Sequence, residues 1–130
     1  MKVLALDYGR ARTGVAVSDP TGTIARPLCV VDAAGSETGL ARLAQLIGEQ
    51  VVERVVVGLP LTLRGEHGEQ ARETERFIEA LTEATDVPVV PFDERFTTDL
   101  AEQTPAAAPE DARAAAHLLS SYLALASAGA

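Results

Sequence analysis

Val3-Leu4-Ala5-Leu6-Asp7-Tyr8-Gly9-Arg10-Ala11-Arg12-Thr13-Gly14-Val15-Ala16-Val17-Ser18 is the stretch on which the fold turns. Residues 3–6 form a short apolar run closed by an acid, the pattern of a buried strand. Residues 8–12 read as a turn, because Gly9 can adopt φ > 0. Residues 13–18 alternate, with Val15 and Val17 set against Gly14, Ala16 and Ser18, which predicts a second strand pairing back on the first. Asp19-Pro20-Thr21-Gly22 is a second turn and residues 27–31 a third short strand. Strands joined this tightly make an antiparallel meander.

Beyond the meander the period changes. Leu40, Leu43, Leu46 and Ile47 recur at helical spacing over residues 36–50, with Ser36 as N-cap. Val55-Val56-Val57-Gly58 is a continuous apolar run, typical of a strand covered on both faces. A glycine-bearing loop, residues 60–68, leads to an acidic helix whose stripe is Ala71, Thr74, Phe77, Ile78 and Leu81. Val87-Pro88-Val89-Val90 is the fifth strand, with Pro88 and Pro91 arguing for an edge position. Residues 99–110, rich in Ala and Pro, read as a loop, and residues 111–127 as a final helix dense in Ala and Leu. The order β-β-β-α-β-α-β-α predicts an α/β fold: a five-stranded mixed sheet, three antiparallel strands plus two parallel ones, flanked by helices.

The 130 residues suit one domain, with 47% hydrophobic and 23% charged residues marking a globular chain. No run of about 18 apolar residues is present, so no membrane span is expected. A carboxylate at position 7 breaks the pattern of a signal peptide. The single cysteine, Cys29, excludes an internal disulfide and fits a reducing, cytoplasmic setting. The net charge of −8 argues against a protein that coats nucleic acid with a broad basic surface. Its distribution is uneven: residues 1–31 carry four basic against two acidic residues, leaving the acidity to the rest of the chain.

Acids stand at element ends rather than on solvated faces. Asp7 closes the first strand, Asp93-Glu94 the fifth, and Asp111 opens the last helix. With strand one central, these ends converge into a hard-oxygen site for Mg²⁺ or Mn²⁺. Phosphodiester hydrolysis uses such a site, and two-metal enzymes hold ions about 4 Å apart. Each acid alone also has an ordinary reading: a turn former for Asp7, a first-turn helix residue for Asp111, a surface ion cluster for Asp93-Glu94-Arg95. Arg10, Arg12, Arg64 and Arg95 fall in loops near these acids, where they suit phosphate contact or the balancing of neighbouring carboxylates. His67 reads as solvent-exposed and Cys29 as a small core residue. His117, six residues after Asp111, lies about 600° further round the helix and reads as structural.

Taken in order, Leu6-Asp7-Tyr8-Gly9, the segment 10–19, Val57-Gly58-Leu59-Pro60, Asp93-Glu94-Arg95-Phe96-Thr97-Thr98, and Asp111 with Ala114-Ala115 through Tyr122-Leu123 resemble the YqgF/RuvX family over nearly the whole chain. The resemblance implies a single RNase H-like domain over residues 1–130, related to the Holliday junction resolvase RuvC. It implies a cytoplasmic metal-dependent nuclease of the two-metal-ion type that processes the 5′ end of pre-16S rRNA in ribosome biogenesis. By that carry-over Asp7, Asp93, Glu94 and Asp111 hold the divalent metal, Mg²⁺ or Mn²⁺. Asp7, Glu94 and Asp111 are the catalytic set, with Glu94 preferred within the pair although strand alternation does not decide it. Arg10, Arg12, Arg64 and Arg95 contact nucleic acid. The acid that the resolvase carries at the end of its fourth strand is missing here, where Val57-Gly58-Leu59-Pro60 stands, so the fifth-strand acid replaces it.

One departure stands out. Family members carry a longer basic segment before the last helix, whereas residues 97–111 hold no Lys or Arg and include Asp99, Glu102, Glu110 and Asp111. That predicts weak nucleic-acid binding, or a ribosome-assembly partner that presents the RNA. Three alternatives stay open: a non-catalytic RNase H-like binding module in ribosome assembly or transcription, a resolvase acting on branched DNA, and an actin- or sugar-kinase-like phosphotransferase. The last needs two such domains around ATP and ranks lowest. Monomer and homodimer are both compatible with the sequence.

Overall fold

A computed structural model describes residues 1–97 and 108–128 of the chain. The meander forms as the sequence predicts, from β1 (Val3–Asp7), β2 (Arg12–Ser18) and β3 (Ala25–Asp32). After it come α1 (Glu37–Gln50), β4 (Arg54–Leu59), α2 (Glu69–Ala84), β5 (Val89–Asp93), a single 3-10 turn over Glu94–Phe96, and α3 (Glu110–Ala128). The strand order is β3-β2-β1-β4-β5, with β1 in the middle. β1 pairs antiparallel with β2 and parallel with β4, so the sheet is mixed.

Strand parity sorts the core into two layers. Leu4 and Leu6 of β1, Val15 and Val17 of β2, and Val55 and Val57 of β4 face α1 and α2, meeting Leu43, Leu46 and Ile47 from one helix and Phe77 and Leu81 from the other. Val3, Ala5, Ala16 and Val56 face the opposite way and pack under Ala115, Ala116, Leu119 and Leu123 of α3. Covered on both faces, β1 and β4 read as unbroken apolar runs rather than alternating ones. Ser36 caps α1, its hydroxyl accepting from the Gly39 amide at 3.0 Å.

Both sheet edges contain proline. On β3 the register with β2 shifts between Val15 and Ala16, whose partners are Cys29 and Pro27. Leu28 is the extra residue of a bulge, beside a proline that has no N–H to give. β5 runs Val89–Asp93, later than the expected 87–90. The Pro88 carbonyl accepts from Val55 N at 2.9 Å, and the parallel ladder then begins at Val55↔Val89. Pro91 is tolerated inside the strand because β5 is an edge.

The position of α3 depends on one residue. A Cβ built on Gly14 would lie 1.8 Å from the Asp111 carbonyl oxygen and 3.0 Å from Ala112 N. The first turn of α3 therefore rests directly on the β2 backbone, opposite Asp7, the cross-strand partner of Gly14. Both contacting groups are backbone and cannot rotate away. Gly14→Ala should cost about 3 kcal/mol in urea unfolding, the upper end of ordinary overpacking. Gly48→Ala, in exposed α1 with nothing near its Cβ position, should instead gain about 0.5–1 kcal/mol. Equal effects at the two sites would remove Gly14 from its role in seating α3.

Candidate active site

Asp7 ends β1 with the same parity as Val3 and Ala5, and so belongs to the α3 side of the sheet. Glu94 reaches that side from the turn after β5, across β4. A Cβ on Gly58 would stand 2.6 Å from Glu94 Oε1 and 3.1 Å from Leu118 Cδ2, so glycine there leaves the space the carboxylate fills. Asp7, Glu94, Thr97, Ala114, His117 and Leu118 line one cleft of about 240 Å³ between the strand ends and the flank of α3.

The two carboxyls in this cleft lie close enough to shift each other's titration. Burial pushes the Glu94 carboxyl up to about 7, and the Asp7 charge and the hydrogen bond to Asp7 push in the same direction. Asp7 is also raised, first by burial and then by the Asp111 charge, while the bond from Glu94 opposes the rise. Near neutral pH Glu94 is therefore partly protonated, beside an Asp7 carboxyl that burial also raises.

Asp111 stands near enough for its charge to act on Asp7. Its carboxylate is ion-paired with Arg12, Nε to Oδ2 at 3.2 Å, and does not line the cleft. Asp93 turns into the fork of Arg95, whose Nε lies 2.9 Å from Oδ2 and 3.0 Å from Oδ1. Arg95 N adds a third bond at 2.9 Å, and the interaction holds the Asp93 carboxyl below its usual range. Among the described residues no group of three His, Cys, Asp or Glu is close enough to hold a metal ion. The structure thus brings Asp7 and Glu94 together, sets Asp111 beside them, and directs Asp93 to an arginine.

Of the four arginines, Arg10 makes a bidentate bridge to Glu73, with both bonds at 3.0 Å. Arg12 pairs with Asp111 and Arg95 with Asp93. Arg64 is exposed, in the loop where Arg95 Nη1 reaches the Leu63 carbonyl at 3.4 Å. His67 is exposed and bridges to Glu75 at 2.8 Å. Cys29 is half-buried against the core, where burial raises its thiol. Residues 98–107, the greater part of the acidic segment before α3, lie outside the described residues.

His117, which reads from the sequence as structural, lines the cleft in the structure. It lies about 240° round the helix from Asp111 after one full turn, which reads as a different face. Ala114, however, lies between them, three residues from each and about 60° from each in projection. With only a methyl at 114, the cleft is open on the flank of the helix that carries His117. The available signal was a polar residue three beyond a small one in an otherwise apolar helix.

Comparison with known proteins agrees with this architecture. The RuvX family model, described as Holliday junction resolvase, matches residues 1–125. A Chloroflexus aggregans protein named "Putative pre-16S rRNA nuclease" is 50% identical over 101 residues, covering 78% of this chain and 71% of its own. A Chloroflexus aurantiacus protein of the same name is also 50% identical over 101 residues, covering 78% of this chain and 66% of its own. Among solved structures, Thermus thermophilus RuvC in complex with a Holliday junction substrate superposes with a TM-score of 0.69 at 20% identity, covering 99% of this chain and 96% of that one. At that identity the likeness establishes the RNase H-like fold.

A pH test follows from the pair. With Glu94 raised from 4.5 to about 7, the folded metal-free protein holds a proton that the unfolded chain has already released. That contribution is full below about pH 4.5 and is lost as pH rises through about 7. In chelator, the Tm of the wild type should fall by a few degrees relative to Glu94→Gln between pH 5 and pH 8. Parallel Tm curves for the two proteins would contradict the raised Glu94 carboxyl.

Proposed function

The chain belongs to the RuvX family, and on that premise we propose that it is a metal-dependent endonuclease that hydrolyses phosphodiester bonds at the 5′ end of pre-16S rRNA. It works as a single RNase H-like domain in the cytoplasm. The observation that carries the reading is the Asp7–Glu94 pair, two half-buried carboxyls that line one cleft at the end of the central strand. Asp7 and Glu94 would hold a hard divalent cation such as Mg²⁺ or Mn²⁺, because carboxylate oxygens are the donors such ions prefer and a cation would favour the charged form of both groups. When bound, the ion supplies a Lewis acid that neutralises charge on the scissile phosphate and acidifies water.

The chain's own residues have separate tasks in this reading. Asp7 and Glu94 supply the negative charge that retains the ion. Asp111 adds charge beside Asp7, while Arg12 holds its carboxylate and leaves an exposed guanidinium facing solvent. Gly58 keeps the space above β4 clear for Glu94. Arg10, Arg12, Arg64 and Arg95 are the cations available to the flanking phosphates. Three of them are already paired with acids, so nucleic acid gains from them only by competing with those acids. That observation also favours a second reading, a binding module of the same fold that meets RNA through an assembly partner.

The test is cleavage of end-labelled 16S rRNA precursor and of four-way DNA junctions with Mn²⁺. The wild type should cut the RNA only with metal, and Asp7→Asn should lose roughly 100-fold or more while keeping its Tm. Full activity in Asp7→Asn would overturn the assignment, cleavage of junctions alone would redirect it to branched DNA, and a folded wild type that cuts neither would favour the binding module. Gly58→Ala tests the support of Glu94. The added methyl meets a side-chain end that can shift, so stability should change by less than about 1 kcal/mol. Cleavage should still fall about 10-fold or more, because misplacement of a reacting group by an ångström costs rate steeply.

A further inference from the structure

The side chains of Thr97 and His117 line the same cleft as Asp7 and Glu94. Thr97 Oγ1 and His117 Nε2 are both shielded from solvent and make no hydrogen bond among the described residues. Unpaired buried polar atoms cost free energy, and two in one small space imply a ligand that satisfies both. They come from separate elements: Thr97 ends the turn that carries Glu94, its amide bonded to the Glu94 carbonyl at 3.0 Å, while His117 comes from α3. The missing ligand therefore bridges the two walls of the cleft.

Its chemistry follows from the donors. A threonine hydroxyl and an imidazole N–H both give hydrogen bonds without carrying charge. A phosphodiester oxygen only accepts. The arginines nearest the site are committed to Glu73, Asp111 and Asp93, and none of them lines the cleft. We infer that Thr97 and His117 are the donors that bind an oxygen of the scissile phosphodiester inside the cleft, the threonine through its hydroxyl and His117 through Nε2–H. The inference deepens the nuclease reading and rests on it for the identity of the substrate. Metal ligation by His117 is the weaker use of the same atom, since among the described residues no set of three ligating side chains lies within reach.

The test follows the ¹⁵N-labelled His117 ring in the full chain with Mg²⁺ as dimethyl phosphate is added. The Nε2 signal should report the Nε2–H form and move saturably. Thr97→Val, which keeps the shape and loses the donor, should raise the half-saturation concentration at least threefold, and Thr97→Ser should restore it. In the RNA cleavage assay Thr97→Val and His117→Leu should each lower kcat/KM about tenfold, with Thr97→Ser and His117→Gln within threefold of wild type. A His117 signal that does not respond to the diester overturns the inference. So does a wild type that cuts RNA while both Thr97→Val and His117→Leu cut equally well. A wild type that cuts no nucleic acid, yet shows the diester-dependent shift and its loss in Thr97→Val, overturns the nuclease reading and supports the phosphodiester site by itself. Should His117→Leu fail to fold, Thr97→Val decides the outcome.

Discussion

Because Gly14 has no side chain, the first turn of α3 lies backbone to backbone on β2, and the site depends on that contact. β2 is antiparallel to β1 with Gly14 opposite Asp7, so seating the helix on Gly14 brings Asp111 within electrostatic reach of Asp7. The small residues of α3 extend the approach along the sheet: Ala112 and Ala115 are fully buried. Gly58 serves the same purpose on β4, where Glu94 and Leu118 occupy the space a side chain would take. Two glycines in neighbouring strands thus fix the floor of the cleft, and both are positions where close approach rather than a turn demands the residue.

Electrostatics on this scaffold divides into two regimes. Inside the cleft, burial raises both Asp7 and Glu94, helped by the Asp111 charge at Asp7 and by the Asp7 charge at Glu94, a state of charge that a cation would relieve. Outside it, arginine and carboxylate satisfy each other at Arg10–Glu73, Arg12–Asp111 and Arg95–Asp93. These outer pairs are exposed and individually weak, so a polyanion can exchange for the protein's own acids at modest cost. The net charge of −8 leaves such local exchange, together with the exposed Arg64, as what the four loop arginines can offer a polyanion.

Much of this was legible in the residues alone. The apolar run ending in Asp7, the alternation of residues 13–18 and the unbroken valines of β4 contain the sheet, because burial on one or both faces writes a period directly into the sequence. The fifth strand was displaced because Pro88 and Pro91 punctuate it, and the ladder with β4, a long-range pairing, decides where it starts. Alternation left Asp93 against Glu94 undecided, since the chain leaves the strand at that point and enters a 3-10 turn. The Arg95 fork and the space over Gly58, both tertiary, separate the two. His117 does lie on a different face of α3 from Asp111, and it is from the face of Ala114 and His117 that the helix lines the cleft.

The account rests on Asp7 and Glu94 acting as a divalent-cation pair, and anomalous diffraction from crystals soaked in Mn²⁺ examines that claim most directly. It predicts a manganese peak between the two carboxylates, lost in Asp7→Asn crystals. A cleft with no peak at saturating Mn²⁺, or a peak only at other acids of the chain, would contradict it.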